Sequence, residues 1–192
     1  LSILFITFFF IKDGDLILNK INNLLPQQIK NNFLDSVSKI KVLLSRYFIG
    51  ISVQIFSLFV LYSIMLSIIG IKNALVIAFL CALLNIIPYI GPLISIVLMA
   101  ILTMTNYIDS MLIKEMLSKV GYIFIGFSIV QLIDNFLIQP YIFSKSVKSH
   151  PLEVFIVIIS SGILFGIIGL IIAIPLYTAL KVIYFSYSGK EA

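Results

Sequence analysis

Apolar runs separated by short polar links make up most of this chain, and their lengths differ in an informative way. Residues 1–11 are apolar but too few to cross a membrane, for which about 20 are needed. They read as the end of a transmembrane helix that begins earlier. Residues 12–46 are the one polar stretch of any length. Within it Ile29, Phe33, Val37, Ile40, Leu44 and Tyr47 recur at steps of four and three, the spacing of one helix face. Lys30, Asp35, Lys39, Lys41 and Arg46 fall on the other faces. This predicts an amphipathic helix starting after Pro26, lying on the cytoplasmic membrane surface or linking two spans. Tyr47 to Ile69 is free of charge and long enough for one full crossing.

The next apolar run, 74–105, does not fit a single span. As one continuous helix it would be about 48 Å long, against a hydrocarbon core of about 30 Å. It is also interrupted, by Asn85-Ile86-Ile87-Pro88-Tyr89-Ile90-Gly91-Pro92. Pro88 and Pro92 lack N–H groups, so the carbonyls of Leu84 and Pro88 lose their helical partners. Gly91 is free to take unusual backbone angles, and Pro92 suits the first position of a new helix. The sequence predicts two half-helices, near 74–87 and 92–105, with 88–92 non-helical. A polar link follows at 106–119 and a second span at 120–138, interrupted near its end by Asp134-Asn135. The last apolar run, 152–186, contains Gly162, Gly166, Gly169 and Pro175 and reads as a second hairpin or a pair of short helices. The order "full span, then Gly/Pro-interrupted segment" thus occurs twice, which is the hydropathy pointer to a transporter built from repeats.

Composition agrees. The chain is 61% hydrophobic and 11% charged, where soluble domains carry roughly 25% charged residues. The fold class is all-α: a polytopic membrane helical bundle, one domain over 1–192, with a membrane core at 47–186 and two re-entrant or broken segments. The net charge of +5 does not point to nucleic acid, because the basic residues sit in the links, as topology markers do. Six of the thirteen Lys and Arg residues lie in 12–46, which places that segment in the cytoplasm. The charge rule does not separate a hairpin from a crossing, because ten fall inside in either case.

Candidate chemistry is sparse. Cys81 is the one cysteine and His150 the one histidine, so neither a disulfide within the chain nor a zinc site is expected. No catalytic motif is present, and no cofactor, metal or nucleotide site is expected. Polar groups at the first break, Asn85 and Ser95, with Pro88, Gly91 and Pro92, are candidates to line a solute site, since freed backbone in a membrane persists only beside protein or a wet cavity. The alternative is a tight turn between packed helices. Asp134, with Asn135 beside it, is either an intramembrane carboxylate on a solute or proton path or a headgroup residue near Lys145 or Lys148. Gly162 and Gly166 form a small-xxx-small face for close helix approach, or a hinge. Gly169 and Pro175 join them as hinge or packing residues. Glu153 suits the first turn of a helix, where it favours the dipole.

Three of these elements resemble the autoinducer-2 exporter family of bacterial permeases. Asn85 to Pro92 resembles its IPYIGP signature. Asp134-Asn135-Phe136-Leu137-Ile138-Gln139-Pro140 resembles its D-N-x-x-x-x-P element, and His150-Pro151 with Gly162, Phe165-Gly166, Gly169 and Pro175 resembles its closing segment. Glu153 stands where the family has an aliphatic residue, and Ile174-Pro175 replaces a Pro-Pro or Gly-Pro. The resemblance implies an inner-membrane, multi-pass protein of about eight helices, of which this chain would be the C-terminal two-thirds. It implies export of a small polar solute such as autoinducer-2, or cation/proton antiport. The partners expected are the lipid bilayer and a small-molecule or ion substrate, with room for a homo-oligomer. A non-transporting scaffold, its breaks serving only packing, is the reading from another class.

Overall fold

The computed structural model describes residues 2–106, 113–139 and 150–188. Every regular element among them is helical. They are α1 (Ser2–Lys12), α2 (Gly14–Leu24), α3 (Gln27–Ile69), α4 (Ala74–Leu84), α5 (Ile90–Thr105), α6 (Ile113–Ile133) with a terminal π-helical turn (Asp134–Ile138), and α7 (Pro151–Ser188). Among the described residues three runs have the length and composition to cross a membrane, Ile29–Ile69, Ile113–Ile138 and Leu152–Ser188, the last of which is folded within its length. The chain falls into two units, one of residues up to Val42 with those from Thr178 on, the other Leu43–Tyr177.

In the first unit, α1 buries no side chain and α2 follows it through Asp13, whose N–H donates to the Phe9 carbonyl at 2.8 Å. Helix α2 is separate from the amphipathic helix that the spacing after Pro26 predicts. That helix does begin at Gln27, but it has no end at Arg46. It continues without a break into the first span, making one helix of 43 residues, about 65 Å long. Neither proline nor glycine pair interrupts Arg46-Tyr47, so nothing in the backbone stops the helix there.

The second unit is built around the span half of α3. Leu58, Tyr62 and Leu66, spaced four apart, are buried against Ile77, Ala78, Cys81 and Ala82 of α4, Met99 of α5, and Ile123, Phe127 and Val130 of α6. Small residues make this approach close. A Cβ at Gly126 would collide with Met65 of α3, 2.7 Å away. Lys119 donates to the Ile69 carbonyl and so closes the last turn of α3. Lys114, Glu115 and Lys119, expected in a link, instead ride on the first turns of α6, because that helix starts seven residues before Val120.

Helices α4 and α5 form the first hairpin. Its break is real but sits earlier than the prolines predict, at 85–89 rather than 88–92. The end of α4 tightens into three successive i→i−3 bonds, from Asn85, Ile86 and Ile87 to Ala82, Leu83 and Leu84. The Leu84 carbonyl, deprived of a partner by Pro88, thereby gains one at 3.2 Å. Pro92 lies in the first turn of α5, where a missing N–H costs no helical bond.

Helix α7 is not one rod. Gly166 has φ 62° and ψ −145°, a conformation nearly confined to glycine, and the chain folds back there. Residues 151–165 and 167–188 are therefore the arms of a second hairpin. Tyr177 donates to the Glu153 carboxylate at 2.6 Å, whereas 24 residues of straight helix would hold them about 36 Å apart. Gly162 meets Leu170, and Gly169 meets the Ser161 carbonyl so closely that a Cβ there would overlap it. Of the four expected hinge or packing residues, Gly166 is the fold, and Gly162 and Gly169 serve packing. Pro175 lies inside the second arm. Glu153 is in the first turn of the first arm, as expected.

Candidate functional site

The long helix α3 presents Gln54 and Tyr62 on one face, two turns apart, from within an otherwise apolar span. Opposite them, the end of α6 carries Asp134 in the π-helical turn. That turn inserts a residue relative to α-helix and re-aims the side chains that follow. The Asp134 carboxylate is fully buried, 0% exposed. Gln54 Nε2 donates to both of its oxygens, at 3.1 and 3.0 Å, and Gln139 Nε2 donates to one of them at 2.8 Å. These partners are neutral amides. A buried carboxylate without a cation is costly, more so in a membrane, and hydrogen bonds offset only part of that cost. Gln54 is eight residues beyond Arg46 on an unbroken helix, so the carboxylate lies about 12 Å further along than the last charge of α3. That placement argues against a headgroup residue. Lys145 and Lys148, the partners considered for that role, lie outside the described residues.

A second polar group lies at the tip of the first hairpin. Asn85 and Ser95 are buried, and both donate to the Cys81 carbonyl at 2.8 Å. Asn85 Nδ2 also reaches Ser95 Oγ at 3.3 Å, and the Cys81 thiol donates to the Ser95 carbonyl at 3.6 Å. These bonds tie the two legs together across the break. Gly91 completes the joint: its Cα faces the Leu84 carbonyl with no room for a Cβ. Close approach, rather than unusual torsion, is what glycine supplies here.

Tyr62 bridges the two groups. Its hydroxyl donates to Gln131 Oε1 at 3.3 Å, stands beside the Asn85 side chain, and lies within electrostatic reach of Asp134. Its ring stacks on Phe127, centroids 5.6 Å apart and planes 6° from parallel. The result is one polar cluster in the second unit, buried at Gln54 and Tyr62 of α3, Asn85 and Ser95 of the hairpin tip and Asp134 of α6, and half-buried at Gln131 and Gln139.

Several candidates from the sequence come together here, and others do not. Asn85, Ser95 and Asp134 are in the cluster, with Gly91 and Pro92 behind it. Asn135 is exposed and accepts from Gln139 at 3.1 Å. Pro88 lies at the tip. Pro140 is outside the described residues. The second hairpin reaches the first through apolar contacts: Ile158, Ala173 and Ile174 pack with Tyr47 and Ile51, joined by Ile86 and Ile90 from the tip. Gln54, Tyr62, Gln131 and Gln139 were missed. Gln131 lies one helical turn before Asp134 and could have been read from spacing, whereas Gln139, five residues after it, comes round to the carboxylate only through the π-helical turn.

Comparison with known proteins decides the family. The family model for the AI-2E family transporter matches residues 1–189. The chain belongs to the AI-2E transporter family. It is 28% identical over 188 residues, 96% of its own length, to the Bacillus subtilis protein named "Putative transport protein YueF", and 26% identical over 181 residues, 94% of its length, to the similarly named YrrI of the same organism. It covers 47% of YueF and 49% of YrrI, and so spans about half the length of the curated relatives it matches. No solved structure matches the chain. Membership of the AI-2E transporter family and the long apolar helices make this a membrane protein. The three motifs that resemble that family converge on one region: the first two supply the polar cluster, and the third supplies the hairpin that packs beside its tip.

Proposed function

We propose that the protein acts in secondary export of a small polar solute, such as the autoinducer-2 signal, across the inner membrane of a bacterial cell as a multi-pass permease. The observation that carries this is Asp134, a fully buried carboxylate held by Gln54 and Gln139, with no cation among its partners in the described residues. Such a group is retained against its desolvation cost when transport uses it. Amides, a tyrosine hydroxyl and a serine around it supply donors and acceptors suited to a hydroxylated solute. The broken hairpin beside it is the kind of segment that lines transporter sites near the bilayer midplane.

Cation/proton antiport is the second reading, and the same carboxylate favours it, because a lone carboxylate binds a proton or a small cation. Proteoliposomes of the full-length protein separate the two. Efflux of the hydroxylated signal molecule, lost in Asp134→Asn, supports solute export. Cation-driven proton movement without solute efflux supports antiport. Neither activity, in protein that is folded and inserted, contradicts both and leaves the scaffold reading.

A further inference from the structure

The tip of the first hairpin holds a strained residue that the polar cluster does not use. Tyr89 has φ 65° and ψ −46°, and the Ile90 N–H donates to the Pro88 carbonyl at 2.8 Å. These torsions and this i→i+2 bond define a γ-turn of the rare, strained hand. Glycine would adopt it readily; a tyrosine must be held there. What holds it is visible. The Tyr89 ring, 46% exposed, meets the Phe155 ring of the second hairpin edge-on, with centroids 5.6 Å apart and planes at 86°. Ile86 and Ile90, on either side, pack with the same second-hairpin cluster.

The other end of the hairpin is anchored: the Gly70 and Ile71 N–H groups donate to the Ser67 and Leu66 carbonyls, and Asn106 donates to the Lys72 carbonyl. Gly70 (φ 78°) and Asn73 (φ 57°) both take positive φ where the chain leaves α3 and enters α4. The legs between these ends are tied by Cys81, Asn85, Ser95 and Gly91, so the hairpin is stiff along its length. A hairpin held at its base and along its legs, and strained at its tip, has its free motion at the tip. Immediately inside that tip is Asn85, beside Tyr62.

We propose that Tyr89 is the latch of a gate: its docking on Phe155 holds the first hairpin closed over the Asn85–Tyr62–Asp134 cluster, and its release admits water and solute. The proposal rests on the transport reading for its purpose, but not for its test. In the closed state the edge-on ring contact offsets the backbone strain at Tyr89. Once the contact breaks, Tyr89 relaxes to ordinary torsions and the open tip is favoured. Strain at this position therefore makes the gate two-state rather than continuously deformable.

The test uses the full-length protein in proteoliposomes, with Cys81→Ser to remove the native thiol and Asn85→Cys as a reporter inside the tip. The rate of labelling by a charged, water-soluble methanethiosulfonate reagent reads how often the tip opens. Phe155→Ala should raise this rate about two- to tenfold, the equilibrium worth of one aromatic pair. Tyr89→Phe, which keeps the ring, should leave it unchanged. Where Phe155→Ala does not insert, Phe155→Leu removes the ring while keeping apolar bulk, and should raise the rate in the same direction. Equal rates in the parent and the Phe155 variants would overturn the latch. Solute flux, measured on vesicles of the protein with Asn85 and Cys81 in place, is a separate readout: labelling that responds to Phe155 while the Asn85-containing protein moves no solute would keep the gate and remove the transport reading.

Discussion

The two hairpins turn by different means, and the difference shows where the chemistry lies. The first takes five residues, 85–89, to reverse, and it turns with polar side chains inside: Asn85 and Ser95 bond across the break, and Tyr89 closes a γ-turn. The second reverses on Gly166 alone, and its tip is apolar: Ile163, Leu164, Phe165, Ile167 and Ile168 are all exposed. A one-residue fold leaves few backbone groups bare, so an apolar tip can face lipid. The five-residue turn leaves more to satisfy, and its polar interior sits next to a buried carboxylate. The first hairpin is therefore the one that carries the proposed transport site, and the second is the surface on which its tip docks.

Removing each turn's glycine probes that comparison most severely. Gly166→Ala puts a side chain at φ 62°, ψ −145°, and is expected to cost about 3 kcal/mol or to prevent the fold-back altogether. Thermal melting in detergent, with cross-linking between the two arms, reads this directly. A normal melting temperature with intact arm-to-arm cross-links would contradict the single-residue fold. Gly91→Ala acts through space rather than torsion, because the Leu84 carbonyl occupies the site of the new Cβ. The expected cost is about 2 kcal/mol, in the range of overpacked sites, read as a lower melting temperature. An unchanged melting temperature would mean that the legs are free to part. Asn85→Ala should be milder, at about 1–2 kcal/mol, since it removes bonds to Cys81 and Ser95 but leaves the turn's backbone bonds intact. Flux should fall more than stability in that variant. Loss of stability with flux unchanged would make Asn85 a packing residue.

How much of this was legible in the sequence varies with the physics involved. Helices, spans and both breaks follow from hydropathy and from Gly and Pro, which act locally. The shift of the first break from 88–92 to 85–89 does not, because the end of α4 tightened to i→i−3 bonding, a choice governed by the packing of Asn85 against α3 and α5. The continuity of α3 through Arg46 was hidden by a change of environment that looks like a boundary but breaks no backbone bond. Asp134 stood out as a lone carboxylate at the margin of a span. Its partners Gln54 and Gln139 did not, because neutral amides become conspicuous only once the fold shows what they face. Tyr62, 72 residues from Asp134 in sequence, links the two polar groups through tertiary packing alone. The strain at Tyr89 was invisible for a similar reason: Gly91 is the residue on which sequence reasoning places the unusual torsion, and the structure uses that glycine for contact instead.

The central claim is that the buried carboxylate serves transport, and Asp134→Asn tests it most directly. Asn preserves the shape and can bond Gln54 and Gln139, so expression and melting temperature should hold. It cannot carry a charge or exchange a proton. Solute flux from proteoliposomes of the full-length protein, measured across pH, should fall by about tenfold or more and lose its pH dependence, as for removal of a charge used in transport. Wild-type and Asp134→Asn flux curves that superimpose at every pH would contradict the account.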